Sequence, residues 1–154
     1  MKVIFLDFDG VLNCRRFIKR SGEVGVCIDP SRMDFLKRAV DETKALIVLS
    51  TSWREHWEKE PDKCDNIGRE INSIFAGFGL KIFDKTDSFG RCREQQINEW
   101  LKKNTVENYV ILDDFGMESE NLKRHLIQTS DGRGGMTESD SAEAIRILNA
   151  RAEL

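Results

Sequence analysis

The sequence predicts an α/β protein built on a doubly wound parallel sheet with helices on both faces. Short continuous apolar runs alternate with segments of helical periodicity, and several of the runs end in polar residues. This alternation is typical of parallel sheets whose strands are joined by helices. The length of 154 residues is close to that of one domain. We therefore expect a single domain over residues 1–154.

Five apolar runs are the predicted strands. Strands that are buried on both faces are continuously apolar, whereas half-buried strands alternate. The runs found here are continuous, which favours a sheet covered on both sides. They are VIFLD at 3–7, ALIVLS at 45–50, LKIF at 80–83, YVILDD at 109–114 and HLIQT at 125–129.

Helices are predicted between these strands. Asp29 followed by Pro30 is typical of a helix start, with an N-cap residue and a proline in the first turn. Apolar stripes at helical spacing predict two more helices, around 67–78 and 97–101. A glycine-rich turn precedes a last helix from about residue 139, whose predicted inward residues are Ala142, Ile145 and Leu148.

The segment 14–28 is predicted to form a small hairpin. Two short runs flank Ser21-Gly22, which is a turn signal. The first run also carries a basic cluster that contains no acidic residue: Arg15, Arg16, Lys19 and Arg20.

Composition excludes several classes of protein. Lys and Arg number 24 and Asp and Glu 27, for a net charge of −3, which argues against a protein that coats nucleic acid or a membrane surface. No apolar run is long enough to span a membrane or to resemble a signal peptide. The four scattered cysteines and two distant histidines argue against a zinc site, and a reduced, cytoplasmic setting is expected.

Polar residues follow three of the predicted strands at their carboxyl ends. In an open parallel sheet these ends meet at one edge, where ligands bind. We therefore expect the side chains that close the three strands to share one site. They are Asp7 and Asp9, Ser50 and Thr51, and Asp113 and Asp114.

The segment DFDG at 7–10 resembles the first motif, D-x-D-G, of the haloacid dehalogenase (HAD) superfamily. The resemblance implies that Asp7 is a nucleophile that forms an aspartyl phosphate, that Asp9 is the general acid/base, and that Mg²⁺ is required. A carboxylate attacks without first losing a proton, and a second carboxyl can protonate the leaving alkoxide. Because neighbouring acids repel negative charge, we expect Asp9 to hold a proton when substrate arrives. Gly10 permits the turn beyond them and is expected to line the substrate site.

The second and third motifs of the superfamily have candidates in this sequence. The second motif is a hydroxyl that binds the transferring phosphoryl group, which implies Ser50 first and Thr51 second. The third is a basic residue, usually Lys, that neutralises the nucleophile and the phosphate. Arg93 fits this position best and Arg91 is the alternative, since Arg can grip phosphate with two hydrogen bonds.

The acidic pair after the fourth strand resembles the fourth motif, which holds the metal. The resemblance implies that Asp114 binds Mg²⁺ and that Asp113 supports it, with Asp7 and Asp9 completing the site. Magnesium keeps several waters, so few carboxylates suffice. Many relatives carry another Asp a few residues later, where this chain has Glu118.

The resemblance extends over nearly the whole chain and is weakest at about residues 55–88. The segments LDFDGVLN, LSTSWR, VILDD and LIQT…GMTE…AIRIL are similar to a small HAD subfamily that includes the phosphatase-like modules of RNA-repair proteins. The implied fold is a Rossmann-type three-layer α/β/α unit. The intervals between the motifs are too short for a separate cap domain, which needs roughly 50 residues. A site without a cap would be open to a phosphate on a bulky partner.

The expected function is therefore that of a Mg²⁺-dependent phosphomonoesterase that retains the second acid, Asp9. A nucleic-acid end-processing phosphatase is the alternative within the enzyme class. In that case Arg15 and Arg16, with the rest of the basic cluster, would attract the substrate, because in the family this segment forms a flap over the site. A catalytically idle binding or regulatory module of the same fold is the alternative of another class. Aryl-phosphate turnover with and without Mg²⁺ separates the enzyme from the idle module.

Overall fold

The computed structural model describes residues 1–87 and 92–151. The strands are β1 (Lys2–Leu6), β2 (Leu46–Leu49), β3 (Ile82–Lys85), β4 (Asn108–Asp113) and β5 (Leu126–Gln128). In the described residues they form one parallel sheet in the order β3-β2-β1-β4-β5. The predicted sheet is confirmed.

Helices cover both faces of this sheet. They are α1 (Arg15–Ser21), α2 (Pro30–Thr43), α3 (Asn66–Gly77), α4 (Arg93–Lys103), α5 (Glu120–Lys123) and α6 (Glu138–Asn149). Alternate residues of β1 enter two apolar clusters: Ile4 packs with α2, α3 and α6, and Phe5 packs with α4 and α5. Burial on both sides is why the strands are continuously apolar. The described residues form this three-layer unit and include no separate cap domain.

The strand order brings the carboxyl ends of β1, β2 and β4 together. The chain runs outward from β1 to β3 and then crosses to the other side of β1 with β4, so strand order reverses between β1 and β4. Backbone hydrogen bonds extend the sheet past the strand ends: Asp7 N–H donates to Leu112 O at 3.1 Å and Ser50 N–H donates to Leu6 O at 3.0 Å. Ligand sites in open α/β sheets lie at such reversals.

The hairpin predicted for 14–28 is wrong, because this segment begins with helix α1. Cys14 caps the helix by accepting a hydrogen bond from Phe17 N–H at 3.5 Å, and Gly22 ends it with a φ of 66°. A left-handed glycine serves a helix C-terminus as well as a tight turn. The Ser21-Gly22 signal therefore marks a helix end here.

The last helix forms as predicted, except that one residue predicted to face inward is exposed. It begins at Glu138 behind Thr137, whose hydroxyl accepts a hydrogen bond from Asp140 N–H at 3.2 Å. Ala144 and Leu148 face the core, whereas Ala142 is exposed. Among the described residues, no helix has the length and apolar character needed to cross a membrane.

Candidate active site

Asp7 lies at the centre of the sheet edge and is 5% exposed. Its Oδ1 accepts a hydrogen bond from Phe8 N–H at 2.8 Å. Its Oδ2 accepts one from Arg93 Nη1 at 3.0 Å. A buried carboxylate with its charge met by an arginine is held in one orientation.

Arg93 joins the ends of β1 and β4. Arg93 is the first residue of α4. Its Nη1 donates hydrogen bonds both to Asp7 and to Asp113 Oδ2, the latter at 2.7 Å. These carboxylates raise the pKa of Arg93 although its burial acts in the opposite direction. The placement agrees with the role predicted for Arg93 as the basic residue beside the nucleophile. The alternative, Arg91, lies outside the described residues.

Three carboxylates form a compact acidic cluster. Asp7, Asp113 and Asp114 each offer an oxygen, and these oxygens lie within 4.8 Å of one another. Asp113 is fully buried and its Oδ1 accepts a hydrogen bond from Phe115 N–H at 2.9 Å. Asp9, which was predicted to complete the metal site, is exposed and is not in this set of described residues, and neither is the exposed Glu118. Carboxylate position therefore gives no support to metal binding by Asp9.

Burial raises the pKa of Asp7 to about 6. Arg93 opposes this rise, and the nearby charge of Asp113 adds to it. The pKa of Asp114 is raised by the same two causes, burial first and Asp113 second. Crowded buried carboxylates favour protonation unless positive charge is brought to them.

Gly10 makes room for this cluster. Its φ is 82°, and a Cβ placed on it would lie 2.6 Å from Asp114 Cγ, inside contact distance. Its N–H donates to Asn13 Oδ1 at 3.0 Å, and its carbonyl accepts from Thr129 Oγ1 at 2.7 Å. The predicted turn is confirmed, but the backbone groups of Gly10 are already engaged within the protein.

Asp9 lies at the rim, held by two side chains that sequence reasoning did not assign. Asn13 Nδ2 donates to its Oδ1 at 3.0 Å and Trp53 Nε1 donates to its Oδ2 at 3.0 Å. Asn13 is buried and also donates to Cys27 O at 2.7 Å, so its amide fixes the loop. Asp7 is buried at the sheet edge, whereas Asp9 is exposed and accepts two hydrogen bonds.

Ser50 and Thr51 are both fully buried at the end of β2. The Thr51 side chain lowers the pKa of Asp7, and its hydroxyl accepts a hydrogen bond from Trp53 N–H at 3.3 Å. The Ser50 hydroxyl has no hydrogen-bond partner among the described residues. Thr51 therefore acts on the candidate nucleophile, and Ser50 offers an unused buried hydroxyl at the same strand end.

Arg54 is a second arginine at this edge and was not predicted. It is 6% exposed, and its Nη1 donates to Thr51 O at 2.8 Å. Burial and the charge of Arg93 lower its pKa, while Asp7 raises it. Two arginines, Arg54 and Arg93, therefore act electrostatically on the same carboxylate. Arg54 is the last residue of the motif LSTSWR, but nothing in the sequence indicates that its side chain is buried.

A cavity of about 400 Å³ opens beside Arg93. It is lined by both arginines and by Phe115, which is 71% exposed. Arg15 and Arg16 lie on α1 with exposed side chains, and within the described residues neither side chain forms an ion pair with the three carboxylates. Their part in substrate binding stays a prediction.

Family comparison agrees with this geometry. The model of the HAD domain in Swiss Army Knife RNA repair proteins matches residues 3–141. The chain belongs to this family. Comparison with curated proteins and with solved structures gives no match.

The donor set of this HAD domain fits a hard divalent cation. Mg²⁺ takes oxygen ligands and is commonly held by one or two carboxylates plus waters and substrate phosphate. The cluster of Asp7, Asp113 and Asp114 supplies such oxygens, and burial together with the charge of Asp113 raises the pKa values of Asp7 and Asp114, which a bound cation would oppose. This HAD domain could therefore hold Mg²⁺ at the cluster, as the superfamily generally does.

Proposed function

We propose that the protein is a Mg²⁺-dependent phosphomonoesterase that acts through an aspartyl phosphate on Asp7. The observation that carries the proposal is the position of Asp7: buried, hydrogen-bonded to Arg93, and within the three-carboxylate cluster. Membership of the HAD superfamily supports a hydrolase. A catalytically idle module would not need a buried acidic cluster, which is costly to maintain without a ligand.

The first step transfers the phosphoryl group to Asp7. A carboxylate oxygen of Asp7 attacks phosphorus, the bond from phosphorus to the ester oxygen breaks, and Asp9 gives its proton to the departing alcohol. Asp9 lies at the rim, where hydrogen bonds from Asn13 and Trp53 hold its carboxylate in one position. In the second step water attacks phosphorus, Asp9 takes the proton, and the bond to Asp7 breaks.

The positive groups of the site stabilise the transferring phosphoryl group. Arg93 and Arg54 bring two guanidinium groups to it, and Thr51 adds a hydroxyl. Bound at Asp7, Asp113 and Asp114, Mg²⁺ would neutralise charge on the phosphoryl oxygens. Preorganised charge of this kind is the main source of catalysis in phosphoryl transfer.

The direct test is turnover of an aryl phosphate by the wild type and by Asp7→Asn, with Mg²⁺ and with chelator. We expect turnover only with Mg²⁺, a hydroxylamine-sensitive phosphoenzyme, and a loss of about 10³-fold or more in the variant. Asp34→Asn, which removes an exposed carboxylate on α2, is the matched control and should retain activity. If Asp7→Asn keeps more than about a tenth of the activity, Asp7 is not the nucleophile.

A phosphorylated nucleic-acid end is the substrate class that we infer for this site. The family is described from RNA repair proteins. The site has no cap among the described residues, and the basic helix α1 follows the loop that carries Asp9. We expect a higher kcat/KM on a phosphorylated oligonucleotide than on a mononucleotide. A clear preference for a small sugar phosphate would contradict this assignment.

A further inference from the structure

A second cavity, here called the arginine cavity, lies beyond the loop that carries Asp9. It has a volume of about 420 Å³ and is bounded by α1, the start of α2 and the turn Asp131–Arg133. Four arginines line it: Arg16, Arg20, Arg32 and Arg133. They come from three separate parts of the chain, so the fold assembles this concentration of charge.

Both carboxylates of the cavity accept hydrogen bonds from groups outside the arginine set, and Asp29 also forms an ion pair with Arg32, with 3.7 Å between Oδ2 and Nε. Asp29 accepts hydrogen bonds from the N–H and hydroxyl of Ser31, at 2.9 and 2.8 Å, as the cap of α2. Asp131 accepts from the backbone N–H of Arg15 at 2.7 Å. Within the described residues, no carboxylate pairs with the guanidinium groups of the three exposed arginines, Arg16, Arg20 and Arg133. Their positive charge is left for a ligand.

Arg32 has an unused donor in this cavity. Its Nη1 donates to Met136 O at 2.9 Å, which anchors the guanidinium. Its Nε is buried without a hydrogen bond, and the nearest carboxylate oxygen, Asp29 Oδ2, is 3.7 Å away. A buried donor without an acceptor costs free energy. Arg32 therefore adds an anchored guanidinium group to the lining of the cavity.

An aromatic side chain completes the lining. Phe17 follows Arg16 on α1, is half-buried, and lines the same cavity. Guanidinium groups bind phosphate oxygens with two parallel hydrogen bonds, and an aromatic ring beside them offers a surface for a base. A basic groove with an aromatic surface is typical of sites for single-stranded nucleic acid, whereas an acidic peptide needs no such ring.

We propose that the arginine cavity binds an internal phosphate of a single-stranded nucleic acid whose terminal phosphate enters the reaction site. Cys14, which lines the cavity, directly follows Asn13, whose amide holds Asp9. The role of the terminal phosphate rests on the proposed function. Binding of the internal phosphate does not, because it needs no chemistry at Asp7.

The test compares two double variants of α1 that remove the same charge. Arg16→Gln/Arg20→Gln removes two cavity arginines, and Arg15→Gln/Lys19→Gln removes two basic residues one helical position away, outside the lining. The probe is a fluorescein-labelled hexaribonucleotide without a terminal phosphomonoester, so it cannot be a phosphomonoesterase substrate. Its dissociation constant is measured by anisotropy in metal-free buffer over a series of salt concentrations, and thermal melting by circular dichroism checks the fold.

We expect Arg16→Gln/Arg20→Gln to weaken binding at least fivefold and to reduce the slope of log K against log salt by about 1. The control pair should change binding less than twofold. Equal losses in both pairs would mean diffuse attraction to α1 and would overturn the proposal, as would no loss in either. Equal binding of a labelled hexaglutamate with the same arginine dependence would also overturn it. Failure of the proposed function would appear separately, as absence of aryl-phosphate turnover by the wild type.

Discussion

The Asp114 carboxylate occupies the space that a side chain at residue 10 would need. Gly10 has a φ of 82°, and its missing Cβ would lie 2.6 Å from Asp114 Cγ. The loop after β1 and the end of β4 therefore approach each other only because residue 10 is glycine. The first and fourth motifs are linked by this contact.

Gly10→Ala should damage both stability and metal binding. The substitution adds backbone strain and a collision with Asp114, for a combined loss of about 2–5 kcal/mol in the free energy of unfolding. Gly22→Ala is the matched control, because Gly22 has a φ of 66° but nothing within 4 Å of an added Cβ. It should cost only about 1–2 kcal/mol. Urea denaturation gives the two energies, and equal losses would mean that Asp114 is not crowded.

Asp7 should make the metal-free protein less stable as pH rises. Its folded pKa of about 6 lies above the ordinary 3.8, so the folded state binds more protons than the unfolded state between these values. The contribution of Asp7 to the free energy of unfolding therefore falls from about pH 4 to about pH 6, by up to about 3 kcal/mol. Asp7→Asn should remove this fall, since Arg93 keeps its bond to Asp113 at 2.7 Å. Denaturation in chelator at several pH values tests it, and parallel curves for the two proteins would contradict the assignment.

Asp114→Asn should raise the Mg²⁺ concentration needed for half-maximal turnover by about tenfold or more, because it removes a charged oxygen from the cluster. Glu118→Gln removes the same charge from an exposed side chain outside the cluster and should leave the requirement unchanged. Calcium should support turnover poorly, since it prefers more ligands at longer distances. A larger effect of Glu118→Gln would move the metal toward that residue.

Trp53→Phe should impair the role of Asp9 while leaving Asp7 intact. It removes the indole N–H that donates to Asp9 Oδ2 at 3.0 Å. We expect kcat to fall about tenfold on an alkyl phosphate, whose leaving group needs a proton, and less on p-nitrophenyl phosphate. Trp57→Phe removes a different indole hydrogen bond, to Asn72 at 2.9 Å, and should not change the ratio of the two rates. An equal ratio in both variants would show that Trp53 does not position the acid.

The sheet edge could be predicted because its residues end apolar strands. Asp7 and Asp113 each follow a buried run, and parallel strands bring such ends together whatever the helices do. Arg93 could be predicted through the resemblance to the third motif, because it lies near the start of a predicted helix. In the structure its Nη1 lies 3.0 Å from Asp7 Oδ2 and 2.7 Å from Asp113 Oδ2.

The supporting residues could not be predicted, because their contacts depend on loop geometry. Trp53 reaches Asp9 across 44 positions of sequence, and nothing in its local pattern separates it from a packing residue. Arg54 is buried by the turn after β2, although arginine is usually exposed in proteins. Helix α1 was missed because Ser21-Gly22 suits a hairpin and a helix end equally well.

Because β1 pairs with β4, the acidic cluster forms only when strands from distant parts of the chain have come together. Asp7 and Asp113 are about 100 residues apart in the chain, and their strands pair directly. A state that has formed β1, β2 and β3 but not β4 contains Asp7 without Asp113 and Asp114 in place, so it cannot assemble the acidic cluster. A ligand that binds the cluster therefore binds the complete sheet and shifts the folding equilibrium toward it. A state without β4 could not carry out the proposed reaction.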